Sequence, residues 1–361
     1  MKKNRTLTTV ILLLATIISS SSCAKQSGYT RHSEVMTDYF NTLITLVAYT
    51  KTEDEFTSYA RQAESRFAQL HQLFDIYNNY EGLNNIKTVN DMAGIEPVAV
   101  SQDLLDLVRF AKEWTLSGHF KTNIALGPVL EIWHQYRTDG IADPESARLP
   151  SQEELEAAAA LTDASKIIID EQRGTIFLPE LHMSLDVGAV AKGYATELVA
   201  RELETAGMES GAISAGGNVR TIGSPRDGNR DRWAIGILNP DSPFFADDRN
   251  LDIVYINDAS IVTSGDYQRY YYVKGVRYHH LIDPDTLRPA KYYRALTVVT
   301  LDSGRADLLS TELFLLPYEE SRALAESLQD VHVLWIMPDG EIKVTEGMTR
   351  LLRSEGASGQ D

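Results

Sequence analysis

Ser184-Leu185-Asp186-Val187-Gly188-Ala189-Val190-Ala191-Lys192-Gly193-Tyr194 joins a strand-like region to a helical one. Upstream, residues 166–177 are rich in Ile and read as two short strands turning at Arg173-Gly174. Downstream, Val190, Tyr194, Leu198, Val199 and Leu203 recur at helical spacing. Such a junction leaves backbone N–H groups unpaired at an electropositive helix end, where a phosphate can sit. Lys192, one turn in, could reach back to a diphosphate, and Asp186 could accept from a hydroxyl or an amine. The same residues also suit an ordinary helix start, with Asp186 as its cap and Lys192 solvated. Beyond residue 209 strand-like runs dominate, over 211–214, 219–223, 233–238, 252–256, 260–263, 270–273, 278–282 and 295–301. Helical runs follow at 307–315 and 318–328, then closing strands at 331–337 and 342–344. Strands and helices are intermixed without regular βαβα alternation. That predicts an α+β fold with mixed or antiparallel sheets and flanking helices.

The amino-terminal half fits the same class. Residues 39–49 have strand composition. Phe56, Tyr59, Ala63, Phe67, Leu70 and Phe74 mark a helix over 53–76. A second helix runs over 102–117 from a Ser101 cap, and a third opens at Ser151 with Glu154 completing a capping box. The polar, Pro- and Gly-containing residues 131–150 read as an insertion or long loop.

Residues 1–23 stand apart. Lys2, Lys3 and Arg5 precede an apolar run over 7–18, then four serines and the chain's one cysteine, Cys23. The run fits a secretory signal, and a cysteine directly after small residues resembles a bacterial lipoprotein cleavage site. The expected organisation is a signal peptide over 1–23, a tether over 24–34 and a single domain over 35–355. With 43% apolar residues among 361, a substantial core is available. The formal charge of −17 falls to −20 once the three leader cations are removed. That charge disfavours nucleic-acid binding, and an anionic ligand would need local cations or a metal ion. A lone cysteine allows no intrachain disulfide.

Four further motifs could carry chemistry. Asp307 and Thr311 are one helical turn apart, so both project from one face and offer two oxygens to a hard cation such as Mg²⁺. They could equally be a helix-dipole carboxylate and a hydroxyl bonded back to a carbonyl. Gly216-Gly217 reads as a turn or a close approach to a ligand. Thr263-Ser264-Gly265-Asp266 reads as a polar loop. His279-His280 sits at a strand end, where alternation lets at most one imidazole face a given site. It could be an acid/base group or a packed core histidine.

Taken in order, Phe40-Asn41-Thr42, Asp186 to Gly193, Ala215-Gly216-Gly217-Asn218, His280-Leu281-Ile282-Asp283-Pro284 and Ala306-Asp307 to Thr311 resemble the ApbE family of flavin transferases. The resemblance implies Mg²⁺-dependent cleavage of FAD, with FMN passed to a Thr or Ser of a target protein and AMP released. It implies metal ligation by Asp307, Thr311 and the backbone oxygen of Ala189. It implies FAD contacts from Phe40, Tyr77, Asn123, Ile124, Ala125, Asp186, Lys192 and Ile282. His280 is the expected base or acceptor-positioning group, with Asp307 its rival. The expected partners are FAD, a flavin-acceptor protein with a modifiable Thr or Ser, and a membrane, reached through lipidated Cys23 on the outer (periplasmic) side of the bacterial cytoplasmic membrane. Alternatives are an FAD pyrophosphatase and a non-catalytic flavin-binding lipoprotein. Two positions depart from the family pattern: Lys121-Thr122-Asn123 replaces a commonly Asp-containing run, and Leu287 stands where Gly often follows Asp283-Pro284-Asp285-Thr286.

Overall fold

Eight strands form one sheet in the order Thr30–Tyr39, Thr42–Thr50, Gly211–Ala215, Asn218–Ile222, Ser260–Gly265, Ala295–Thr300, His332–Ile336 and Ile342–Val344, each antiparallel to its neighbour. The fold is α+β, as the missing βαβα alternation predicts. The computed structural model describes residues 28–119, 121–242 and 249–360; the leader and Cys23 lie outside the described residues. Two of the sheet's hairpins close through left-handed backbone, at Phe40-Asn41 (φ 52° and 51°) and Gly216-Gly217 (φ 56° and 103°). That geometry matches a two-residue turn to the twist of its strands. The Phe40-Asn41-Thr42 signature is therefore a hairpin turn. The strand before it begins at Thr30, within the stretch whose composition reads as tether.

Strand alternation sends Ile44, Leu46, Ala48, Ile213 and Ala215 to one face. There they pack with Phe67 and Leu70 of the Glu53–Phe74 helix and Val199 and Leu203 of the Ala191–Thr205 helix. On the opposite face Ile261, Ala295, Val299 and Leu334 meet Ile237, Val254 and Ile256 of a separate hairpin, Trp233–Leu238 with Asn250–Ile256. All six residues of Ala295–Thr300 are buried because that strand is covered on both sides.

Two helices on the first face decide where the site falls. Ala191–Thr205 and Ser303–Phe314 touch at Gly193, where a Cβ would stand 2.2 Å from the Ser303 carbonyl oxygen and 2.5 Å from Asp307 Cβ. Each helix lends the other a carboxylate. The Gly193 N–H donates to Asp307 Oδ2 at 2.8 Å, and the Ser303 N–H donates to Glu197 Oε2 at 2.8 Å.

Three expectations need correction. Residues 131–142 are not a loop and only 143–150 is irregular, since Gly127–Ala142 is a helix with Pro128 in its first turn. Its Gly140 is present because Tyr271 lies where a Cβ would go, at 2.6 Å, and not to break the helix. Thr263 to Gly265 end a strand, since their hydroxyls satisfy neighbours: Thr263 pairs with Thr297 and Ser264 with Ser310, both at 2.8 Å. The second helix ends at Trp114 and continues as a π-helical turn, Thr115–His119, in which Gly118 has φ 102°.

Candidate active site

Asp186 sits in an irregular segment between the Thr175–Phe177 strand and the Ala191–Thr205 helix, and a set of hydrogen bonds fixes it there. Its N–H donates to the Ile124 carbonyl at 2.9 Å. Asn90 brackets the preceding residue, accepting from the Leu185 N–H at 2.7 Å and donating to its carbonyl at 3.0 Å. Gly127 lets Ser184 approach, since a Cβ there would lie 2.4 Å from Ser184 Oγ. The Asp186 carboxylate caps the Gly188 N–H at 2.7 Å, and the Ala191–Thr205 helix has no side-chain cap of its own. Burial pushes the Asp186 carboxyl pKa up, against the opposing pull of the Gly188 N–H, His134, Arg269 and Arg137.

The N–H groups at that helix start are not all left for a phosphate, because Asp307 takes one of them. With the Gly193 N–H committed to Asp307, the Ala189 carbonyl receives no backbone hydrogen bond among the described residues. Lys192 Nζ lies 3.8 Å from the same Asp307 Oδ2. Asp302 caps the helix bearing Asp307, accepting from the Arg305 N–H at 2.8 Å. Ser310 Oγ donates to the Asp307 carbonyl at 2.9 Å, and the Thr311 hydroxyl makes no hydrogen bond to a described residue. Asp307 Oδ1, the Thr311 hydroxyl and the Ala189 carbonyl are thus three oxygens unclaimed by described residues. Among the described residues no three His, Cys, Asp or Glu side chains cluster as metal ligands. A single carboxylate with neutral oxygens suits only a hard cation that keeps waters and substrate phosphates as its other ligands, the habit of Mg²⁺.

Around this niche stand cations that the sequence reading missed. Arg137 Nη2 contacts His134 Nδ1 at 2.8 Å, and the Tyr77 ring lies over His134 with centroids 5.3 Å apart. Burial, followed by Arg269, lowers the Arg137 pKa. Arg269 and Arg137 both act on Asp186 and on His280. Neither guanidinium has a carboxylate within ion-pair distance among the described residues. The helical spacing of His134 and Arg137 was the available signal, hidden because their segment reads as a loop. Of the paired histidines, His279 is structural, with Nε2 on the Ala290 carbonyl at 2.7 Å and its ring against Phe314. His280 turns toward the cations, and its buried Nδ1 has no hydrogen-bond partner among the described residues. Burial and then Arg269, His279, Arg137 and Lys192 hold its pKa well below the ordinary histidine value, so it is neutral.

The other expected contacts lie farther back. Phe40 packs edge-on to His71 and Phe67, and its N–H donates to His71 Nδ1 at 3.3 Å. Asn123 caps the Ala125 N–H at 2.8 Å and donates to the Thr162 carbonyl at 2.8 Å. Ile124, Ala125 and Ile282 are buried; Ile124 reaches the site through the carbonyl that holds Asp186. Tyr77 is 53% exposed, with its ring against His134. Both departures from the family pattern have visible consequences. Lys121 Nζ bonds Asp283 and Asp285, each at 2.7 Å, tying down the loop after His280. Leu287 adopts φ 57°, the backbone a Gly would take freely, and places its side chain in the cluster around Trp133.

An antiparallel α+β fold whose packed helices set Asp307 beside Lys192, near two arginines that have no carboxylate partner among the described residues, suits a polyanionic ligand. The ApbE family model matches residues 40–335, and the chain belongs to that family. It is 31% identical to a FAD:protein FMN transferase of Klebsiella pneumoniae over 75% of this chain and 83% of that one. It is 32% identical to one of Vibrio cholerae over 74% and 77%. Among solved structures, the ApbE protein of Thermotoga maritima superposes with a TM-score of 0.76 at 26% identity, covering 90% of this chain and 99% of that one. The Vibrio cholerae flavin transferase ApbE gives 0.73 at 25%, covering 90% and 100%.

Proposed function

We propose that this chain is a FAD:protein FMN transferase that works with Mg²⁺ and places FMN on a Thr or Ser of an exported or membrane protein. The observation that carries the reading is the contact of Lys192 with Asp307 beside three unclaimed oxygens. Asp307, Thr311 and the Ala189 carbonyl would hold the Mg²⁺, which neutralises diphosphate charge. Phosphoryl transfer asks mainly for charge stabilisation and in-line positioning. Lys192, Arg137 and Arg269 supply the first, and Asp186 and Tyr77 orient the nucleotide. The acceptor hydroxyl forms the new O–P bond, the diphosphate P–O bond breaks, and AMP leaves with the electron pair. Neutral His280 receives the hydroxyl proton, and its basicity rises once bound phosphate offsets the surrounding cations. The leader reading adds export and lipid anchoring at Cys23 on the periplasmic side.

Incubating the protein with FAD, Mg²⁺ and a flavin-acceptor subunit tests this. Covalent flavin fluorescence on the acceptor with release of AMP is expected. Free FMN with an unlabelled acceptor would mean a hydrolase, and intact bound FAD a carrier. Asp307→Asn keeps an oxygen for the Gly193 N–H but removes the charge, and should cost roughly 10²–10³ in rate.

A further inference from the structure

A cavity of about 490 Å³ lies between the main sheet and the Trp233–Leu238 strand. It is on the face opposite Asp307: along Ser260–Gly265, Ser264 points to Ser310 of the site helix while Ile261 and Thr263 line the cavity. Trp233, Ala234, Ile235 and Gly236 all border it. Successive residues of a strand point to opposite faces, so this strand meets the cavity edge-on. The two edges of its hairpin differ. On the far edge, the Tyr255 N–H donates to the Leu351 carbonyl at 3.0 Å and Val254 bridges to Leu352. On the cavity edge, no described residue bonds to the backbone of 234–237 outside the hairpin pairing.

The cavity, on the other face of the sheet, is bordered by a turn whose last residue acts on the candidate active site. Tyr267 and Gln268 line it, and Arg269, the next residue of the same turn, acts on Asp186 and His280. Arg31 also lines it, without a carboxylate in ion-pair range among the described residues. A free strand edge beside a cleft of this size is a template for strand addition, which gives affinity through main-chain hydrogen bonds and selectivity through alternate side chains.

We propose that this groove receives an extended segment of the flavin-acceptor protein. The segment adds as a strand to the free edge of Trp233–Leu238, sets an acidic side chain against Arg31 and passes its hydroxyl residue across the 266–269 turn to the nucleotide. The inference rests on the transferase reading above and names how its protein substrate is held.

The test uses the full chain and a purified acceptor, defined as a protein that the wild-type chain labels with FMN. Thr45→Trp and Ser214→Trp, at cross-strand partners on the groove floor, fill the space, and Arg31→Glu reverses its charge. Each should raise the acceptor KM about tenfold or more while FAD affinity stays within about twofold of wild type. In the wild-type chain, adding acceptor should slow hydrogen exchange over 233–238, a readout that does not depend on how the variants fold. An unchanged acceptor KM with no exchange protection overturns the inference and leaves the transferase standing. Loss of FAD affinity in the groove variants assigns the cavity to FAD instead. Dimerisation abolished by the tryptophans assigns it to a second copy of the chain. A wild-type chain that labels nothing sinks the transferase reading and this inference together.

Discussion

Replacing Gly193 with Ala tests the helix contact on which the site depends, because two physical effects predict opposite signs. In an ordinary helix interior, Gly→Ala stabilises by about 1 kcal/mol through helix propensity and lost chain entropy. At Gly193 the added Cβ would sit 2.2 Å from the Ser303 carbonyl oxygen and 2.5 Å from Asp307 Cβ. Both neighbours are parts of the adjoining helix that cannot rotate away, so the helices must separate by about 1 Å to restore van der Waals distance. Overpacking of this kind costs typically ~1–3 kcal/mol, more than the propensity gain. The same movement lengthens the 2.8 Å bond from the Gly193 N–H to Asp307 and shifts the carboxylate relative to Lys192. A displacement of about 1 Å near reacting groups can cost on the order of 10²-fold in rate. Thermal unfolding and FMN transfer measured side by side decide the matter: a Tm lowered by a few degrees with transfer down roughly a hundredfold is expected. A variant more stable than wild type and fully active would refute the close-contact argument.

Asp186→Asn should raise stability at neutral pH. A carboxyl whose folded pKa lies above its unfolded value loses stability as pH rises through that folded pKa, and the amide removes the term. Transfer should fall on the order of 10²-fold, so a less stable or fully active variant contradicts the assignment. His280 runs the other way. Its folded pKa is depressed, so its contribution is present above the ordinary histidine value and lost as pH falls through the folded one. The slope approaches ~1.4 kcal/mol per pH unit, and wild type should lose stability faster than His280→Gln when unfolding is followed from pH 7.5 to pH 5. Parallel curves would show that His280 is not a neutral buried imidazole. Leu287→Gly relieves left-handed strain of about 1–2 kcal/mol but gives up burial worth about 1.5–3 kcal/mol plus a cavity. Denaturation should find it roughly 1 kcal/mol less stable, with transfer unchanged; a more stable variant would mean that the Trp133 cluster does not compensate the strained turn.

Periodicity made the strands after residue 209 and the long helices legible, because one-sided burial imposes spacing that survives any particular partner. It also placed Asp307 and Thr311 on one helix face and put Lys192 near a helix start. Pairing across the fold was not written in that local pattern. Nothing near Asp307 signals that it would take the Gly193 N–H, 114 residues away in sequence. The helix carrying His134 and Arg137 was masked by Gly140, which answers to the Tyr271 ring, and by Pro144 and Pro150, which lie beyond the helix end. Phe40-Asn41 read as the start of a strand because left-handed turns at non-glycine residues leave little compositional mark.

The shared carboxylate also bears on how the niche meets a cation. In an isolated helix the Gly193 N–H would bond to the Ala189 carbonyl four residues back, leaving that carbonyl unavailable. Asp307 substitutes for it, so the contact that locks two helices together also exposes the Ala189 oxygen and leaves Asp307 Oδ1 free. Lys192 stays 3.8 Å from the other carboxylate oxygen and partly neutralises it. On the proposed reading, a divalent ion at these oxygens would share the Asp307 carboxylate with the Lys192 ammonium. With one anionic ligand and a competing cation, such a site would hold Mg²⁺ weakly until a diphosphate added its own oxygens. Metal and nucleotide should accordingly bind with positive coupling, each raising the affinity of the other by the same factor. Titrating FAD fluorescence with and without Mg²⁺, and Mg²⁺ with and without FAD, measures both sides of that equality. Independent binding of the two would mean that the metal sits elsewhere.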